Sequence, residues 1–193
     1  KFTAAMLREG ASGLSSAYIA EKLDYYGATL QTLATQRNTY ITLYSANRYF
    51  FDILPLLCKL VVSPDFPEEE FRTLKERNRQ TLSVDLMKVN VLASRIFSEQ
   101  LFGAENPYGK SEQLADYDTL TTAHLREFHS RYYTAEQCRI VLSGRITPEM
   151  KAAVKETFAA VPSRSESERF LFPAIHSSNE HYRFVEKAGA LQA

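Results

Sequence analysis

An α+β fold, with a mixed or antiparallel sheet packed against several long helices, is what this sequence predicts, and three observations predict it. Helix-start signals recur ahead of apolar-periodic stretches, at Ser15–Ser16, Pro67, Thr121–Thr122 and Thr147–Pro148. One stretch, ATLQTLATQRNTYITLYS, alternates in steps of two and is rich in β-branched residues. A second apolar run, CRIVLSG, is short, β-branched and closed by glycine, and it reads as another strand. Strands mixed with long helices are the pattern of a layered α+β architecture.

Taken in order, residues 1–8 read as the end of a helix, with Ala4, Ala5 and Leu7 before the stop at Gly10. Ser15 or Ser16 caps a second helix, AYIAEKLDYYG, with Ile19, Leu23 and Tyr26 on one face and Gly27 as its stop. A hairpin follows, turning near Gln36–Asn38, in which Tyr40, Thr42 and Tyr44 alternate with Ile41 and Leu43. The next helix covers about 48–63, with Pro55 as a kink. Pro67 and the run Glu68–Glu70 open a long helix that reaches about Val89, because proline suits the first helical position and carboxylates suit the first turn. Another helix spans roughly 91–102, and a loop holds GAENPYGKSEQL. Thr121 or Thr122 caps AHLREFHSRYY, the strand CRIVLSG follows, and Thr147-Pro148-Glu149 start a helix that ends before Pro162. SRSESE is a polar linker and YRFVEK a last strand. The opening inside a helix and the ending AGALQA lead to the expectation of a piece of a longer protein, with the compartment left unread.

Composition excludes some functions and leaves others open. The 193 residues suffice for a sizeable core, and 45% apolar with 24% charged residues is ordinary for a globular protein. Twenty-three basic residues balance 23 acidic ones, which removes a global electrostatic case for nucleic acid or an anionic membrane. The most apolar run, FFDILPLLCKLVV, is interrupted by Asp52, Pro55 and Lys59, so no membrane span is expected. Two cysteines, Cys58 and Cys138, are read as buried thiols, with a single disulfide as the alternative.

Chemistry-bearing motifs are scarce. HLREFH at 124–129 is near a zinc-binding H-x-x-E-H, but its second histidine comes five residues on, about 140° further round a helix, so the two rings diverge. His176 and His181 have no carboxylate or cysteine at ligand spacing. There is no G-x-S-x-G, no glycine-rich phosphate loop and no C-x-x-C. On the long helix, Phe71, Leu74, Asn78 and Thr81 form one stripe at helical spacing, expected to face inward, and Lys1, Ala4 and Ala5 share a face of the opening helix. Such spacings suit metal ligands, yet these residue types cannot bind zinc.

Three longer stretches carry a family likeness. AAMLREGAS…IAEKLDYYGATLQ resembles the segment of insulinase/pitrilysin-type zinc peptidases in which H-x-x-E-H is followed by a helix and a glycine turn into a strand. VVSPDFPEEEFRTLKERNRQTL resembles their next element, a P-x-F motif leading into a helix that bears glutamates. NPYGKSEQLADYDTLTTAHLREFHSRYYTAEQCRIVLSG resembles their following signature, and the likeness spans nearly the whole chain in order.

The resemblance implies a mitochondrial-processing-peptidase-like metallohydrolase fold, with residues 1–162 as one repeat unit truncated at its N-terminus and 163–193 as linker and start of the next. Anchored on Met6-Leu7 and Gly10, it puts the family's first zinc histidine at Lys1, the catalytic glutamate at Ala4 and the second histidine at Ala5. Anchored on Phe66 and Phe71, it puts the auxiliary glutamate at Leu74 and the zinc glutamate at Thr81. A zinc peptidase needs imidazoles and a carboxylate about 2.0–2.2 Å from the ion, with a base to activate bound water. Methyl, isobutyl, hydroxyl and ammonium groups supply none of these.

The resemblance therefore implies a half without catalytic residues or metal. Such a half needs a homologous zinc-bearing domain or subunit, with which it encloses a peptide or unfolded protein. Zinc belongs to the partner half, and no cofactor is expected in this segment. The strand that would receive an extended peptide by β-augmentation is Leu30, Gln31, Thr32, Leu33 and Ala34; the alternative is a strand that is only packed. Two other readings stay open: a structural or assembly subunit on the same fold with no role in proteolysis, and an autonomous hydrolase using other residues.

Overall fold

A computed structural model describes residues 1–164, 173–175, 177–179 and 182–186. The chain forms two compact units, Lys1–Phe71 with Thr121–Glu168, and Arg72–Leu120 with Arg169–Ala193. Helices and antiparallel strands together make the α+β fold that the sequence predicts.

The first unit opens with a five-residue helix, α1 (Phe2–Met6). Its residues Thr3, Ala4 and Met6 are buried, and α1 packs on a strand of the main hairpin and on a later helix. A two-residue turn then joins β1 (Gly10–Ala11) to β2 (Leu14–Ser15). Ser12 and Gly13 both have positive φ, the condition for the primed turns that match strand twist. In α2 (Ser16–Tyr25), the Ser15 side chain accepts from the Tyr18 N–H at 3.2 Å and so satisfies an orphan donor. Ile19 and Leu23, one turn apart, are buried, and Gly27 at φ +57° ends the helix where a side chain would be strained.

The predicted hairpin is present as β3 (Thr29–Ala34) and β4 (Thr39–Tyr44). Its turn is held by Thr35, whose hydroxyl oxygen accepts from the N–H groups of Arg37 and Asn38. In this register Leu30 faces Leu43 and Thr32 faces Ile41; Leu30 is core, with Ile41 and Leu43 packed against it. Leu33 pairs with Tyr40 on the opposite face, and both are exposed. After a 3₁₀ turn at Asn47–Tyr49, α3 (Phe50–Val62) contains Pro55, which supplies no N–H to the preceding turn. Ile53 and Leu60 complete the core around Ile19 and Leu23.

The remaining helices of this unit are α7 (Thr122–Tyr132) and α8 (Pro148–Phe158). Thr121 and His124 form a reciprocal cap on α7, and the Thr147 hydroxyl accepts from Met150 on α8. The Cys58 thiol donates to the Thr157 carbonyl at 3.1 Å, joining α3 to α8. Both cysteines are free; Cys58 is buried, but Cys138 is exposed, which corrects the expectation of two buried thiols.

The largest correction concerns CRIVLSG. Residues 138–144 form no strand, and Ile140 and Val141 are 46% and 86% exposed. Residues 182–186 of YRFVEK form no strand either, whereas Lys187, the end of the linker and AGALQA lie outside the described residues. A strand exists only as a ladder with a neighbour, and neither stretch has one among the described residues.

In the second unit, α4 (Glu68–Asp85), which begins in the first, is followed by α5 (Val89–Phe102) and the single turn α6 (Asp116–Thr119). The loop after α5 is tied by polar bonds. Buried Asn106 accepts from the Tyr108 N–H through its side-chain oxygen and donates to the Pro173 carbonyl through its amide nitrogen. Gly109 leaves no room for a side chain, since a Cβ there would lie 2.1 Å from the Gly103 carbonyl oxygen. Buried Tyr117 donates to Glu112 at 2.5 Å; desolvation and the adjacent carboxylate raise its phenol above the usual range.

Candidate functional site

The five positions that the resemblance sets against a metal centre are Lys1, Ala4 and Ala5 at α1 and Leu74 and Thr81 on α4. On α1, Lys1 is the exposed N-cap residue, its side chain making no capping bond; Ala4 is 3% exposed and Ala5 half-buried. The Ala5 N–H donates to the Lys1 carbonyl at 3.1 Å, so these two residues belong to one turn. Phe2 meets Phe71 edge-on, ring centres 6.0 Å apart. The inner face of α1 is thus packed with Met6, Leu7 and methyl groups, and no lone pair faces the interior from Ala4.

On α4, the expected inward stripe is only partly inward. Phe71 is buried and Leu74 and Asn78 are half-buried, but Thr81 is exposed and its hydroxyl donates back to the Arg77 carbonyl at 2.9 Å. Leu82, one position on and about 100° round the helix, is the buried residue of that turn. Asn78 likewise donates to the Leu74 carbonyl at 2.8 Å. Among the described residues, no three of His, Cys, Asp or Glu come together in a way that could hold a metal ion.

The histidines of HLREFH serve different neighbours. His124 is exposed in the first turn of α7, its Nδ1 accepting from the N–H of the N-cap residue Thr121 at 3.2 Å. His129 is half-buried: its Nε2 lies 2.7 Å from the Val61 carbonyl, and its ring stacks on Tyr133 with Phe66 edge-on. Burial lowers the His129 pKa, and the bond to Val61 opposes this only in part. His176 and His181 lie outside the described residues.

Sequence reasoning missed the clamp around residues 63–68. Phe66 is buried yet has φ +49°, a left-handed conformation that is an outlier for a bulky residue, and Pro67 follows it. Asp65 ties this bend to the β1–β2 turn: its N–H donates to the Gly10 carbonyl at 2.9 Å and its carboxylate accepts from the Gly13 N–H at 2.8 Å. Arg126 donates to the Asp65 and Phe66 carbonyls and to the Thr122 hydroxyl, which itself donates to Glu68. The available signal was the pair of prolines, Pro64 and Pro67, around Asp65-Phe66.

The peptide-strand candidates Leu30, Gln31, Thr32, Leu33 and Ala34 all lie in β3. β4 takes one edge of β3, and no described strand takes the other. A shallow cavity of about 290 Å³ between the end of α1 and α2 is lined by residues including Arg8, Glu9 and Ser16, and holds no reactive constellation.

Comparison with known proteins bears on this arrangement. Residues 119–191 match the peptidase M16 inactive domain. The crystal structure of a peptidase M16 inactive domain from Pseudomonas fluorescens is 25% identical, with a TM-score of 0.78 over 87% of this chain and 42% of that one. The crystal structure of a protease from Helicobacter pylori is 14% identical, with a TM-score of 0.74 over 91% of this chain and 44% of that one, a likeness of fold. This chain therefore spans less than half the length of the solved structures it matches. No curated protein matches it.

Proposed function

We propose that this chain belongs with the inactive domains of the peptidase M16 family, which residues 119–191 match, and that it is the non-catalytic half of an insulinase/pitrilysin-type zinc peptidase. It forms part of a peptide-holding chamber with a homologous, zinc-bearing domain or subunit. What supports this reading is the chemistry of α1: at Ala4 and Ala5, which the resemblance sets against the catalytic glutamate and the second zinc histidine, the helix carries only methyl groups, beside buried Thr3 and Met6. Neither alanine can bind zinc or take a proton from its water.

Substrate contact in this reading falls to β3. An extended peptide adding along Leu30–Ala34 would gain main-chain hydrogen bonds from the edge that β4 leaves free, as in β-augmentation. The partner half supplies zinc and the attacking water; this half supplies wall and strand.

The test is zinc content followed by reconstitution. After dialysis against micromolar zinc, elemental analysis of the chain alone is expected to give below about one-tenth of an equivalent, since a structural or catalytic site would hold one. Peptide cleavage should appear only when the zinc-bearing half is present. Stoichiometric zinc or cleavage by the chain alone would overturn the proposal. No cleavage with an active partner half present would favour the assembly-subunit reading.

A further inference from the structure

One surface of the first unit belongs neither to the lost metal positions nor to the peptide strand. Along α2, Tyr18, Lys22 and Tyr25 follow one another at helical spacing, with Tyr18 and Tyr25 41% and 74% exposed. The Lys22 ammonium lies 5.5 Å from the Tyr18 ring centre and 5.8 Å from that of Tyr25. Tyr25 meets Tyr26 edge-on at 5.0 Å, Tyr26 meets Tyr49 at 5.3 Å, and the Arg48 guanidinium sits 4.6 Å over the Tyr49 ring. Six side chains thus form one continuous band, four aromatic faces with Lys22 between the first two and Arg48 over the last.

Every polar tip on this band is free. Among the described residues, neither Lys22 nor Arg48 has an ion pair, and none of the four tyrosine hydroxyls has a hydrogen-bond partner. Burial explains only Tyr26, which packs against the core; the buried residues of α2 are Ile19 and Leu23, and Tyr18 and Tyr25 stay exposed. Cations held over rings are already placed, so less side-chain freedom is lost when they meet an anion. Tyrosine and arginine are also the residues that recur where protein surfaces are buried by partners.

We infer that this band is a docking surface for an acidic protein face, one that presents carboxylates among apolar side chains. Free cations call for anions, and the exposed rings call for apolar contact between them. Glu21 and Asp24 on α2 and Asp52 on α3 lie beside the band, so the anions that fit it are separate carboxylates spaced to meet Lys22 and Arg48, whereas a continuous phosphate chain would run across like charge. The zero net charge of the chain adds no long-range pull on a polyanion. This inference does not depend on the peptidase reading.

Fluorescence anisotropy with the 193-residue chain tests it, using a labelled peptide of Glu and Leu, its counterpart with Gln for Glu, and a single-stranded oligothymidine. The Glu peptide is expected to bind at least about tenfold more tightly than the Gln peptide, and to weaken with salt. The double variant Lys22→Gln/Arg48→Gln should lose at least about tenfold, Tyr25→Ala should also weaken binding, and Lys151→Gln on α8 should change nothing. Equal binding of the two peptides, no binding, indifference to the double variant, or tighter binding of the oligothymidine would overturn the inference.

Discussion

Residues 39–44 and 138–144 are alike as sequence. TYITLY and CRIVLSG are both short, apolar and β-branched, and both suit a strand. The first is β4, fully paired along β3 from Thr39↔Ala34 to Tyr44↔Thr29. The second has no ladder: among the described residues its backbone is unpaired from Arg139 to Gly144, although its flanks are anchored beside β4. Tyr133, before it, donates to the Thr39 hydroxyl at 3.2 Å, and the Arg145 carbonyl, after it, accepts from Asn47 at 2.7 Å. β-propensity describes a residue that fits a pleated, half-buried surface; it does not provide the neighbouring strand.

The largest expected effect that separates these regions is on stability. Leu30, 6% exposed opposite Leu43, should cost about 3 kcal/mol when truncated to alanine, through lost burial and a residual cavity. Val141, 86% exposed, should cost under about 0.5 kcal/mol for the same change. Urea denaturation of Leu30→Ala and Val141→Ala measures both. A costly Val141→Ala would mean that 138–144 is packed in solution, and the contrast would fail.

This contrast also marks what was legible in the sequence. Helix starts were readable because a cap is local chemistry: Ser15, Thr121 and Thr147 each sit where their side chains meet the next turn. The β3–β4 hairpin was readable because both strands and their turn fall within sixteen consecutive residues, Thr29 to Tyr44. The fate of 138–144 depends on a distant neighbour, which periodicity cannot report. At the candidate site, the identities of Ala4 and Ala5 were legible and their packing followed from α1. Thr81 was misplaced because one position along α4 turns the face by about 100°, which puts Leu82 inward instead. The left-handed Phe66 was invisible, since its conformation is imposed by Asp65, Arg126 and the turn at Gly10–Gly13.

A smaller effect lies at the anchor before 138–144. His129 stacks on Tyr133, whose hydroxyl holds Thr39 at the start of β4. Burial depresses the His129 pKa, so the unfolded chain binds more protons than the folded one once the pH falls below the ordinary histidine range. Its contribution to stability is therefore complete above that range and is lost as the pH drops through it. The urea midpoint of the wild type should fall between about pH 7.5 and pH 5. In His129→Gln, which keeps a donor for the Val61 carbonyl, the fall should be shallower. Equal slopes would show that other groups set the pH dependence and that this anchor is not a titrating one.

The smallest effect tests how far pairing alone stabilises an exposed strand face. Leu33 and Tyr40 are cross-strand partners on the outer face of the hairpin, 61% and 51% exposed, so little core burial enters their contact. A double-mutant cycle of Leu33→Ala and Tyr40→Ala should give a coupling of about 0.5 kcal/mol, within the range for such pairs. The same cycle on Ile140 and Val141, which are adjacent along the chain and point to opposite sides when extended, should give none. A null result for the first pair would leave the inner face, Leu30, Ile41 and Leu43, as the whole reason that 39–44 is a strand. A measurable coupling would show that register itself stabilises one region, and that a neighbour placed against 138–144 would gain the same kind of contact.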